Sequence, residues 1–123
     1  DRLSATPHSK DYGRLSVITQ ALCEVVPLFD VPKEAFYPVP QVTSSIVKLI
    51  PKPNRPTDAI LKQLEHLTHL AFQQRRKQLK NTLGQHFPPE VLIQAGIDLT
   101  LRPEDISVQE YLILAEQSLD LDV

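Results

Sequence analysis

Phe36-Tyr37-Pro38-Val39-Pro40-Gln41-Val42-Thr43-Ser44 is the stretch around which the rest of the chain is organised. Pro38 and Pro40 each lock φ, lack an N–H and push the preceding residue toward β or polyproline geometry, so a stiff, extended loop opened by an aromatic is predicted. Directly behind it, Ser45-Ile46-Val47-Lys48-Leu49-Ile50 is a β-branched run that predicts a strand. The strand anchors the loop to a sheet and sets Phe36 at its rim, where an aromatic serves as a stacking platform. By spacing alone, Phe36 suits a core position at the sheet end equally well.

Upstream, Leu28 to Val31 is a short apolar run between Pro27 and Pro32, most simply a strand, and antiparallel pairing with the Ser44 to Ile50 strand is the economical topology. Before it a helix is predicted from near Gly13, with Leu15, Ile18, Leu22, Val25 and Val26 on one buried stripe and Pro27 as its stop. Cys23 lies near that stripe and reads as a small buried thiol. Asp1 to Asp11 shows no period and is expected to be loop.

Downstream, Pro51-Lys52-Pro53-Asn54-Arg55-Pro56 has the composition of a linker, so the chain divides into residues 1–52 and 53–123. Thr57 or Asp58 can cap a helix running from about Ala59 to Leu83. Pro88-Pro89-Glu90 starts a short helix with Gly96 as its C-terminal cap, and Ser107-Val108-Gln109-Glu110 fits a capping box opening a helix to about Leu119. The second part is therefore a small all-helical unit, expected to lean on the first because about seventy residues bury only a modest core.

At 41% hydrophobic and 23% charged residues the composition is that of an ordinary globular protein. No apolar run approaches a membrane span and no signal peptide is indicated, so a cytoplasmic protein without a membrane partner is expected. A lone Cys23 excludes an intrachain disulfide and a cysteine-only metal site. The chain contains no Met and begins with Asp1, and it is read as cut from something longer. The net charge of −2 hides an asymmetry of +1 over residues 1–61, +4 over 62–80 and −7 over 81–123. Such a split suits a directional electrostatic surface or the two halves of a salt-bridged bundle, and the totals do not choose.

The basic stretch is Ala71-Phe72-Gln73-Gln74-Arg75-Arg76-Lys77-Gln78-Leu79-Lys80-Asn81-Thr82-Leu83. On a helical wheel Arg75 falls within the apolar stripe and is predicted to be structural, pairing with a carboxylate such as Glu104 or Asp105. Arg76 and Lys80 share a flank, with Lys77 on the far polar side. These three are the candidates for phosphate contact, because phosphate recognition needs solvent-facing cations. His66 and His69 share a face without a third ligand in register, so no metal site is expected. No nucleophilic triad and no glycine-rich phosphate loop is present among three glycines.

The pattern F-x-P-x-P-x-V-x-S at Phe36, Pro38, Pro40, Val42 and Ser44 resembles the post-catalytic motif of the KsgA/RsmA rRNA adenine dimethyltransferases and their Erm relatives. Two further stretches carry the same resemblance. Tyr12-Gly13-Arg14-Leu15-Ser16-Val17 is similar to A-Y-G-R-L-S-V, with Asp11 in place of a small residue. Residues 74–83 are similar to Q-R-R-K-x-[LI]-[RK]-N-x-L, and Arg102-Pro103-Glu104-Asp105-Ile106-Ser107 also looks like the KsgA branch. Tyr37 and Gln41 depart from the polar residue and the lysine common in that motif. Whether Arg14 touches RNA stays open against a plain helix-start role.

The resemblance implies the C-terminal end of an α/β methyltransferase domain, a helix plus two strands of a Rossmann-like sheet, followed by a small all-α RNA-docking domain. It implies an S-adenosylmethionine-dependent enzyme that dimethylates N6 of two adjacent adenines near the 3′ end of 16S rRNA in the small ribosomal subunit. Phe36 would stack on the target adenine, framed by Pro38, Pro40, Val42 and Ser44. The S-adenosylmethionine site and an N-L-P-Y motif would belong to a missing N-terminal part, leaving this chain inactive alone; a monomer is expected. An Erm-type 23S enzyme and a noncatalytic ribosome-assembly module are the alternatives.

Overall fold

The computed structural model describes residues 3–32, 34, 38 and 44–119. Helix α1 (Arg14–Leu22) runs straight into strand β1 (Cys23–Val31), which pairs with β2 (Ser44–Pro51). Helices α2 (Asp58–Phe72), α3 (Pro89–Gln94) and α4 (Val108–Gln117) follow, with 3-10 turns at Leu79–Asn81, Leu83–Gln85 and Pro103–Asp105. The two strands are antiparallel, with Cys23 opposite Pro51 and Val31 opposite Ser44. A register shift falls between Pro27 and Phe29, where Pro27 can donate no ladder hydrogen bond and a bulge relieves the mismatch.

The antiparallel pairing is as expected, but α1 is shorter and β1 longer than the periodicity predicts. Val25 and Val26 lie opposite Leu49 and Lys48 in the ladder instead of continuing the helix. Their branched Cβ atoms suit a pleated surface better than a helix turn. The buried face of α1 is correspondingly different from the predicted stripe. Ser16, Val17 and Ala21 are buried toward α2 and α4 and Ile18 packs at the edge of the core, while Leu15 is 51% exposed. Cys23 is half-buried and has a free thiol.

The core lies among α1, α2 and α4. It gathers Tyr12, Val17 and Ala21 with Leu64, Leu67, Ala71, Leu79, Leu83, Ile106, Tyr111 and Leu114, so residues from both sides of the Pro51 to Pro56 segment share one apolar cluster. The predicted caps are present where local chemistry alone forms them. Thr57 Oγ1 accepts from Ile60 N, and Ser107 Oγ and Glu110 Oε1 reciprocally accept from Glu110 N and Ser107 N. Pro89 opens α3, and after it Gly96 takes φ +77°. Gly96 N donates to Ile93 O and Ile97 N to Leu92 O, which closes the helix as a Schellman motif with Leu92 and Ile97 both in the core.

The α2 helix stops far short of Leu83. After Gln73 the chain turns, Gln78 is extended, and Leu79 N and Lys80 N donate to Leu101 O and Leu99 O. Those tertiary bonds satisfy donors that a continued helix would have bonded internally. Leu79 and Leu83 still reach the core, by a different backbone path.

Candidate RNA-facing site

Val31, the last residue of β1, and Ser44, the first of β2, are ladder partners. Antiparallel pairing holds these two ends about 5 Å apart at one end of the two-stranded sheet. Within the predicted frame, Pro38 is exposed and Ser44 opens β2, while Phe36, Pro40 and Val42 lie outside the described residues. The sheet stands outside the core and leaves Leu28, Phe29, Ile46 and Leu49 exposed.

Arg76, Lys77 and Lys80 are all solvent-exposed, as phosphate contact requires, but they do not share a helix. Arg76 and Lys77 sit in the turn after α2 and Lys80 in the following 3-10 turn, so the four-residue spacing of Arg76 and Lys80 does not define a common helical flank. This corrects the wheel assignment, for the reason given by the Leu79 and Lys80 backbone bonds.

Arg75 is structural, as its inward placement predicts. Its Nη2 donates to Ser9 O (3.2 Å), Lys10 O (2.8 Å) and Glu104 Oε2 (3.4 Å), and the guanidinium lies 5.8 Å from the centre of the Phe72 ring. Phe72 in turn contacts Tyr12 edge-on at 6.2 Å and Tyr111 at 6.0 Å. The apparently featureless N-terminal loop is thereby tied down. His8 N donates to Glu104 O at 2.8 Å, and the His8 ring meets Asp105 at 2.9 Å.

Tyr12 and Tyr111 form the buried polar spine beside Arg75. Their hydroxyls donate to Ile106 O (2.7 Å) and Pro103 O (2.6 Å), respectively. Burial drives the pKa of Tyr12 up, with the Glu110 charge adding to it. For Tyr111 burial again dominates, Tyr12, Glu110 and Asp105 add to the rise, and Arg75 partly offsets it. The role of Tyr12 escapes sequence reasoning, because the loop before α1 has no period to display an inward face. The one available signal is an arginine at an apolar position needing a carboxylate from the acidic end of the chain.

His66 and His69 are exposed on α2, and among the described residues no group of three or more His, Cys, Asp or Glu is placed to hold a metal ion. No described helix is long and apolar enough to cross a membrane.

A helix feeding an antiparallel strand pair, followed by a cluster of helices, is also the fold of part of a dimethyladenosine transferase from Plasmodium falciparum. That crystal structure superposes with a TM-score of 0.71 at 24% identity, over 92% of this chain and 51% of that one. The 23S rRNA methyltransferase ErmE is similar with a TM-score of 0.61 at 26% identity, over 90% of this chain and 49% of its own. Among sequences, the ribosomal RNA small subunit methyltransferase A of Yersinia enterocolitica is 49% identical over 94% of this chain, and that of Cronobacter sakazakii 47% over 98%. The ribosomal RNA adenine dimethylase family matches residues 1–118, and the chain belongs to it. It spans 43 to 44% of the length of these two relatives.

Proposed function

We propose that this chain is the C-terminal portion of an S-adenosylmethionine-dependent enzyme that dimethylates N6 of two adjacent adenines near the 3′ end of 16S rRNA during maturation of the small subunit. The observation that carries this is the family match over residues 1–118, joined to an identity near one half with small-subunit methyltransferases. In this reading residues 1–52 end the catalytic domain and residues 53–123 form a helical rRNA-docking domain of a cytoplasmic, monomeric protein. The exposed apolar side chains of β1 and β2 support it, because a two-stranded pair is marginal alone and faces bearing Leu28, Phe29 and Leu49 suit a pair covered by other parts of a longer protein.

Phe36 stacks on the target adenine, within the frame of Pro38, Pro40, Val42 and Ser44. Stacking of a base on an aromatic contributes about 1–3 kcal/mol, enough to offset much of the cost of unstacking it. Arg76, Lys77 and Lys80 neutralise rRNA phosphates. The placement of the three glycines supports a cofactor site elsewhere in the intact protein. Gly13 opens α1 after a loop, Gly84 lies in a 3-10 turn and Gly96 caps α3, so none stands in a strand-to-helix turn that could cradle S-adenosylmethionine. The cofactor then belongs to the remainder of the intact protein.

The test is methyl incorporation from labelled S-adenosylmethionine into undermethylated small subunits by the intact gene product and its Phe36→Ala variant. Incorporation by the parent with a loss of tenfold or more in a folded variant is expected. No incorporation by the parent would overturn the enzyme reading in favour of an assembly module, and equal incorporation by both would make Phe36 a packing residue.

A further inference from the structure

Beside the Arg75 node lies an open cleft of about 290 Å³ lined by Lys10, Asp11, Gly13, Arg14, Leu15 and Arg75. Three of these six residues are cations, and they come from three separate places: the N-terminal loop, the first turn of α1 and the turn after α2. Lys10 and Arg14 are exposed and thus free to swing onto a ligand, whereas Arg75 is pinned through Nη2 to Ser9 O, Lys10 O and Glu104. The Nη1 of Arg75 lies against Gly13, 3.5 Å from where a β-carbon would stand. Gly13 itself caps α1 without a side-chain oxygen at the cap.

The charge balance selects the ligand. Among the lining residues one carboxylate, Asp11, stands against three cations, and Glu104 outside the lining is committed to Arg75, so Lys10 and Arg14 leave the cleft with a positive excess that favours an anion. A phosphodiester carries one negative charge and presents two free oxygens to the planar fork of Arg14, a better match than a point cation provides. We propose that this cleft holds a backbone phosphate of the RNA strand, with Lys10 and Arg14 as ligands, Arg75 as the preordered wall and Asp11 as a carboxylate that weakens the grip. The proposal rests on the RNA reading above and adds a contact on the α1 side, joined to the Arg76 to Lys80 stretch through Arg75.

The experiment is binding of a short single-stranded RNA to the full chain as a function of salt, paired with an NMR titration of the Gly13, Arg14 and Leu15 amides by inorganic phosphate. Arg14→Gln and Lys10→Gln are each expected to weaken RNA binding several-fold and to flatten the log–log salt slope by about 0.7 per lost phosphate contact. Asp11→Asn should tighten binding by a comparable factor, while Lys62→Gln on the outer face of α2 should leave it unchanged. The signature of opposite signs at Asp11 and Arg14 belongs to a ligand in the cleft and not to a fold defect.

If Arg76→Glu with Lys80→Glu abolishes RNA binding while Arg14→Gln, Lys10→Gln and Asp11→Asn all match Lys62→Gln, the cleft is overturned and the RNA reading stands. If the amides shift with inorganic phosphate in an Arg14-dependent way but RNA does not bind, the site takes free phosphate and the assignment to an RNA strand falls. Binding of neither overturns both.

Discussion

Arg75 shows how one side chain can be decided by its surroundings more than by its type. It lies in the most basic stretch of the chain, yet its guanidinium is committed to two loop carbonyls, a half-buried carboxylate and the Phe72 face. The ion pair is partly solvated, so its Coulombic share is small. The larger cost of removing Arg75 comes from leaving the Ser9 and Lys10 carbonyls without that donor and the aromatic face without its cation. Arg75→Ala is therefore expected to lower stability by about 1–3 kcal/mol, read as a drop in the urea midpoint at unchanged slope. An unaltered midpoint would show that the node is passive. Arg75→Lys should recover only part, since the shorter lysine side chain lacks the planar guanidinium that faces the Phe72 ring while its ammonium reaches for the acceptors now held by Nη2.

Among elements, α4 and α2 make the instructive contrast. Helix α4 is framed by its own chemistry: Ser107 and Glu110 satisfy each other's backbone donors, and Tyr111, Leu114 and Ala115 turn inward. Ser107→Ala should cost about 1 kcal/mol, measured by chemical denaturation, with Ser107→Asp recovering most of it. A full retention of stability in Ser107→Ala would mean that packing alone sets the start of α4. Helix α2 begins equally locally at Thr57, but its end is set from outside by the carbonyls of Leu99 and Leu101. For this reason its N-terminus is legible in the sequence and its C-terminus is not.

For the molecule as a whole, two buried phenols must stay protonated to donate: Tyr12 ties the segment before α1 to Ile106 O, and Tyr111 ties α4 to Pro103 O. Their folded pKa values lie above the ordinary tyrosine value, mainly through burial. The stabilisation is thus fully present below about pH 10, the unfolded value, and is lost as pH rises toward the folded ones. In that window the unfolded chain binds fewer protons, so stability falls with pH by up to about 1.4 kcal/mol per unit for each tyrosine. Denaturant midpoints should decline steeply above pH 10 in the parent and less steeply in Tyr111→Phe, which starts lower. Parallel profiles for the two would exclude the Tyr111 phenol as a cause, and the same comparison with Tyr12→Phe tests the other. Readable in the sequence is whatever neighbouring residues settle among themselves: the strand that begins at Ser44, its antiparallel partner, the caps at Thr57, Ser107 and Gly96, and the structural placement of Arg75. Folding in three dimensions sets where α1 yields to β1, where α2 stops, and that Lys10, Arg14 and Arg75 meet at one cleft. Those outcomes depend on backbone bonds and charges brought together from distant positions, and no local period records them.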